Sequence, residues 1–252
     1  MAKSEQQRQK KLARKKAKDR QKKQQLVREK QRLASLSGKM SAAAAGKVLK
    51  SMVGNADQGL ATVMIARQAP EGQVAVGVFL VDIFCLGVKN AVGVYYSPGQ
   101  FSEMSSSLIE KHSLEDVSPG RARGVVEASV EYARTSGLSP HPDYRKVQLI
   151  WGDIEPESVE GVYEFGHEGK PFYMVGPYDD AATQGMVLSK LESTLGVGNF
   201  DFMIGGFAGS DAAFEEFGAL EHFDDEPEIG DDEAAGAIVD GAVETRRIDS
   251  AD

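Results

Sequence analysis

Four side chains in this 252-residue chain combine a type and a position that could do chemistry: Asp82, His141, Asp143 and Asp153. Asp82 closes the most apolar run of the sequence, and carboxylates at strand ends can hold a divalent metal, because hard cations take oxygen ligands. A metal centre needs two or three such groups to converge. The partners the sequence offers Asp82 are His141, Asp143 and Asp153. The plainer reading of Asp82 is an aspartate that ends a strand and turns the chain. His141 is held between Pro140 and Pro142 and has little freedom, and Asp143 two residues on could orient its imidazole. This Pro-His-Pro-Asp stretch reads either as a positioned general base or phosphate contact, or as a tight corner before a helix. His141 and Asp143 are therefore the catalytic candidates, with Asp82 and Asp153 as metal candidates.

Other chemistries fail on spacing. Gly196-Val197-Gly198 lacks the third glycine of a dinucleotide loop and opens no helix, and Ala43-Ala44-Ala45-Gly46-Lys47 lacks the first glycine and the Ser/Thr of a P-loop. There is no Gly-Xaa-Ser-Xaa-Gly elbow and no His-Glu-Xaa-Xaa-His helix, so no cofactor is expected. Cys85 is the single cysteine, which rules out an internal disulfide framework and a cysteine-rich zinc site and suits a reducing cytosol. A small, buried, inert thiol is the expectation for it.

The elements that must position these residues are organised around residues 60–96. Apolar segments 61–66 and 74–81 flank Gln68-Ala69-Pro70-Glu71-Gly72-Gln73, in which Pro presets φ and Gly supplies positive φ. This predicts an antiparallel hairpin ending at Asp82, then a third strand near residues 91–97, with Val78, Leu80 and Phe84 in the core. Ser41 reads as the N-cap of a short helix to about Met52. Helical spacing follows over 101–112. Ser118-Pro119 opens a helix to about Arg134, with Gly137 beyond its end, and Asp179-Asp180 begins one over 181–195. The aromatic runs around Tyr163-Glu164-Phe165 and Phe172-Tyr173-Met174 flank His167-Glu168-Gly169-Lys170 and predict a second hairpin. A last short strand is expected at 200–204. The fold class is α+β: an antiparallel sheet built from hairpins with three or four packed helices.

Charge is distributed unevenly. The overall formal charge is −9, yet residues 1–32 hold fourteen Lys/Arg against three acids, net +11, and residues 211–252 hold two Arg against fifteen acids, net −13. Residues 1–40 are rich in helix formers, but Leu12, Leu26, Leu33 and Met40 make a seam too sparse to hold an isolated helix. This predicts a basic arm over 1–40, ordered against a polyanion, a single domain over 41–208 and an acidic, disordered tail over 209–252. Lys10, Lys11, Arg14, Lys15, Lys16, Lys18, Arg20, Lys22 and Lys23 are the nucleic-acid-binding candidates. Lys/Arg interspersed with Gln and nearly free of aromatics suits backbone contact rather than base stacking. No run approaches the length of a membrane span, and no apolar segment follows the first charges as in a secretory leader, so a cytoplasmic protein is expected.

Three stretches carry a resemblance: VGVFLVDIFCLGVKN, the segment from Pro140-His141-Pro142-Asp143-Tyr144 through Gly152-Asp153, and FGHEGKPFYMVGPYDD. Together they resemble signatures of a family of uncharacterised bacterial proteins over about residues 58–205. The resemblance implies a single domain and supplies no activity or catalytic residue. Two functions stay open on the sequence: a non-enzymatic protein associated with RNA or the ribosome through its arm, and a metal-dependent hydrolase or nuclease using Asp82, His141, Asp143 and Asp153. Proximity of those four side chains in one cleft favours the second, and dispersal favours the first.

Overall fold

The computed structural model describes residues 35–176 and 179–204, with Arg14, Lys16, Lys18, Arg20 and Lys23 as isolated positions before them. Lys10, Lys11, Lys15, Lys22, Pro177, Tyr178 and the acidic stretch 209–252 lie outside the described residues. The protein is α+β, built on a five-stranded antiparallel sheet. Strands β1 (Val48–Val53), β2 (Leu60–Gln68), β3 (Val74–Asp82) and β4 (Gly87–Tyr96) form a meander, and β5 (Glu115–Asp116) pairs with β1. The expected hairpin is present: β2 and β3 pair in continuous register from Leu60 opposite Asp82 to Gln68 opposite Val74. Its turn contains Pro70–Gly72, with Gly72 at φ 73.

Every residue of β3 is buried. That follows from covering both faces of the sheet, which removes the polar alternation of a half-solvated strand. On one face Val63, Ile65, Phe79 and Val81 pack under α1 (Leu36–Ala43), α3 (Pro119–Thr135), α4 (Tyr144–Val147) and a 3₁₀ turn (Gln148–Trp151). Phe79 stacks on Trp151 at 5.4 Å. On the other face Met64, Val78, Leu80 and Val92 meet Leu108 of α2 (Pro98–His112). Val78 and Leu80 are buried as expected, whereas Phe84, in the turn beyond β3, is only half-buried.

A smaller unit follows: β6 (Phe172–Met174), α5 (Ala181–Leu195) and β7 (Asp201–Met203), with β6 and β7 parallel. Its core, Tyr173, Val187 and Leu191, closes over Cys85. The thiol is fully buried, and burial pushes it above its usual range, as expected for an inert cysteine.

Two helix starts were well signalled: Ser118 accepts from the Arg121 N–H, and Asp180 accepts from the Thr183 N–H. The helix expected over 101–112 begins earlier, at Pro98, where Ser97 forms a capping box with Gln100. Two of the expected elements do not form. The helix from Ser41 to Met52 does not form: α1 begins earlier, capped by Ser35, runs through Ser37-Gly38 and across residue 40, and ends at Ala43. Val48–Val53 is instead a strand on β2, where β-branched side chains and sheet pairing outweigh the helix preference of the preceding alanines. Gly46 marks the change, since a Cβ there would stand 1.8 Å from the Gln68 carbonyl oxygen. The second hairpin is also absent. Its turn survives as a single bridge between His167 and Lys170, but Phe172–Met174 takes its partner from β7, across the intervening helix α5. Tyr163 and Phe165 instead pack against the main core, with Phe165 5.8 Å from the Tyr132 ring.

Candidate functional site

Asp82 is 2% exposed, and its carboxylate turns back onto its own chain. Oδ1 accepts from the N–H groups of Phe84 and Cys85, both at 2.9 Å, and the Leu86 N–H also favours the charged form. These bonds close the β3–β4 turn, which is the plainer of the two sequence readings. Burial nonetheless dominates and raises the carboxyl from its usual 3.8 to about 6, with Lys89 acting in the opposite direction.

The Pro-His-Pro stretch is a corner fastened to the sheet: the His141 N–H donates to the Val88 carbonyl of β4 at 2.9 Å. The imidazole Nδ1 accepts from the Asp143 N–H at 3.3 Å, so in the neutral ring the proton sits on Nε2. The Asp143 carboxylate stands 3.8 Å from Nδ1, beyond hydrogen-bonding distance, and takes Lys146 Nζ at 2.6 Å instead. The carboxylate expected to orient the histidine is therefore engaged by a lysine. The ring opens on a groove of ≈ 1020 Å³ between α3 and residues 138–148, bordered by Glu131, Arg134 and Arg145.

Asp153 is elsewhere. It lies 3.5 Å from the Arg67 guanidinium with its side chain 95% exposed. Arg67 is opposite Ala75, whereas Asp82 is opposite Leu60. Leu60 and Arg67 are seven residues apart along β2, roughly 23 Å at about 3.3 Å per residue. The structure thus brings His141 and Asp143 together as sequence neighbours and leaves Asp82 and Asp153 at opposite ends of the sheet. Among the described residues no group of three or more His, Cys, Asp or Glu is placed to hold a metal ion. The convergence that a metal-dependent hydrolase would need is not formed by these four residues.

Sequence reasoning missed Arg67, which is 3% exposed. Its guanidinium donates to the carbonyls of Ala44, Gly46 (2.9 Å) and Trp151 (2.7 Å), so one side chain ties the end of α1 and the end of the 3₁₀ turn to β2. A cation at helix C-termini satisfies orphan carbonyls and suits the helix dipole. Its partners lie 21 to 84 residues away, and no local spacing signals them. A second cleft, ≈ 780 Å³, also went unread. It opens at the Asp82 end of the sheet, bordered by Asp57, Phe84, Arg121, Tyr163 and His167. His167, an exposed tip residue, lies there against the rings of Phe84 (5.4 Å) and Phe172 (5.2 Å) in tilted contacts.

Of the basic arm, Arg14, Lys16, Lys18, Arg20 and Lys23 are described, and all five are helical and exposed. Lys16, Arg20 and Lys23 stand four and three residues apart and share one face; Arg14 and Lys18 share another. No helix among the described residues is long and apolar enough to cross a membrane. No family model, curated protein or solved structure matches this chain.

Proposed function

We propose that this chain is a non-enzymatic, cytoplasmic protein that associates with RNA, the ribosome foremost, through its basic N-terminal arm. The observation that carries the reading is the arm itself: residues 1–32 have a net charge of +11, and the five described cations among them project from helical backbone into solvent. A helix rises about 1.5 Å per residue, so Arg14 to Lys23 covers roughly 14 Å, comparable with the spacing of a few phosphates along a strand. Each phosphate neutralised releases counterions, and this supplies affinity without reading sequence. The dispersal of Asp82, His141, Asp143 and Asp153 supports a binding role over the metal-hydrolase alternative. Co-sedimentation with ribosomes tests the reading. The full chain should pellet with them at low salt, and a chain lacking residues 1–40 should stay in the supernatant. Equal pelleting of both would remove the arm from the account.

A further inference from the structure

We propose that β4 is the pairing edge of a symmetric homodimer, in which the β4 strands of two copies join antiparallel to make one continuous ten-stranded sheet. The argument starts from hydrogen-bond parity. The Ile83 N–H donates to the Gly59 carbonyl on the β2 side, so odd residues of β3 bond β2 and even residues bond β4. The register sets Leu80, Val78, Val76 and Val74 opposite Asn90, Val92, Val94 and Tyr96. These even residues of β4 face β3, and the backbone groups of Ala91, Gly93 and Tyr95 point outward. The bond from His141 N–H to Val88 marks the same edge on the far side of the bulge at Lys89. The Ala91 N–H is covered by Asn90 Oδ1 at 2.7 Å. Among the described residues nothing pairs with the N–H or C=O of Gly93 or Tyr95.

Edge strands are normally guarded by charge, proline or brevity. Here the ten residues of β4 carry one charge, Lys89 at the bulge, and no proline, and the segment facing outward between the bulge and the end of the strand reads Ala-Val-Gly-Val-Tyr. The occupant is argued from self-complementarity. A two-fold axis through Gly93 sets Gly93 opposite Gly93 and Ala91 opposite Tyr95 on the α1 face, so each large ring meets a small residue. On the α2 face it sets Val92 opposite Val94 twice, an apolar β-branched pair of the kind that stabilises sheets. This is the self-complementary contact an isologous interface requires. Leu36 lies over Gly93, where an added Cβ would stand 2.9 Å from its Cδ1, so α1 of both copies begins beside the axis on the same face of the sheet. On the RNA-binding reading, and only there, a dimer gains avidity by carrying two arms.

The test uses the full chain. Sedimentation equilibrium gives the mass from dilute to concentrated protein, and amide hydrogen exchange is followed at Gly93 and Tyr95 over the same range. The 27.2 kDa chain should form a dimer, and those two amides should exchange at least about tenfold more slowly in it than in the dilute monomer. Val94→Lys, at a half-buried position from which the lysine can reach solvent, should shift the chain to monomer and restore fast exchange without RNA present. A monomer at all concentrations overturns the proposal, as does a dimer with fast Gly93 and Tyr95 exchange. Slow exchange in a monomer also overturns it, because another segment of the same chain then covers the edge. None of these readouts depends on RNA, so failure here and failure of the RNA reading are separable.

Discussion

Replacing Asp82 by Asn separates the charge of this side chain from its shape. Asn Oδ1 can still accept from the Phe84 and Cys85 amides, so the turn survives while the buried charge is removed. Burial raises the Asp82 carboxyl from 3.8 to about 6, so the folded state favours the neutral form. The stability this contributes is fully present below the unfolded value, near pH 3.8, and is lost as pH rises through about 6. At about 1.4 kcal/mol per pH unit, the whole effect is about 3 kcal/mol, of which about 1 kcal/mol falls between pH 5 and pH 7. Urea unfolding of both proteins at pH 5, 6 and 7 reads the difference directly, because the other titrating groups are shared. Asp82→Asn should gain on the parent by about 1 kcal/mol over that interval. A difference independent of pH would mean that the three amides compensate burial fully. A difference that moves toward the parent as pH rises would mean they overcompensate, and either result refutes the reasoning.

Leu80→Ala in the all-buried strand should cost about 2–5 kcal/mol through lost transfer energy and a cavity, checked by urea unfolding; an unchanged midpoint would remove β3 from the core. Arg67→Met leaves the carbonyls of Ala44, Gly46 and Trp151 without their donor and should cost about 3 kcal/mol or more, whereas Asp153→Asn, at the exposed end of the same ion pair, should change stability by about 0.5 kcal/mol or less. Added Mg²⁺ or Mn²⁺ should leave the Tm of the full chain unchanged, because a ligand raises Tm only if it binds the folded state. A rise abolished by Asp82→Asn would return the metal-hydrolase reading.

The parts of the fold that were legible in the sequence are those specified locally. Pro70 and Gly72 between two β-rich runs gave the β2–β3 turn, and Ser118 and Asp180 announced two helices because each cap bonds an N–H three residues on. The strand at Val48–Val53 was hidden because an alanine run beside it has the stronger local preference, and only pairing with β2 decides the matter. The parallel β6–β7 pair was hidden for a related reason: its partners lie about thirty residues apart, joined through a helix, while a tight glycine turn stood next to β6. At the candidate site the sequence brought out Asp82 and His141 by residue type, and Asp82 by its strand end. It could not show that Asp82 faces its own turn or that Lys146 takes Asp143, since both are matters of side-chain direction. Arg67 gave no signal at all, because a buried arginine in a strand is recognised only by the distant carbonyls that surround it.

The central claim is that the arm binds RNA backbone, and a filter-binding titration at two salt concentrations tests it most directly. Three versions are compared: the full chain, one lacking residues 1–32, and one lacking residues 211–252. Binding by the full chain should weaken steeply with salt, with a slope of roughly −0.7 to −0.9 per phosphate contact in log K against log salt, and should be nearly independent of RNA sequence. Loss of the arm should abolish binding, and loss of the acidic stretch, net −13, should strengthen it by removing a competing anion. Equal affinity with and without the arm would contradict the account.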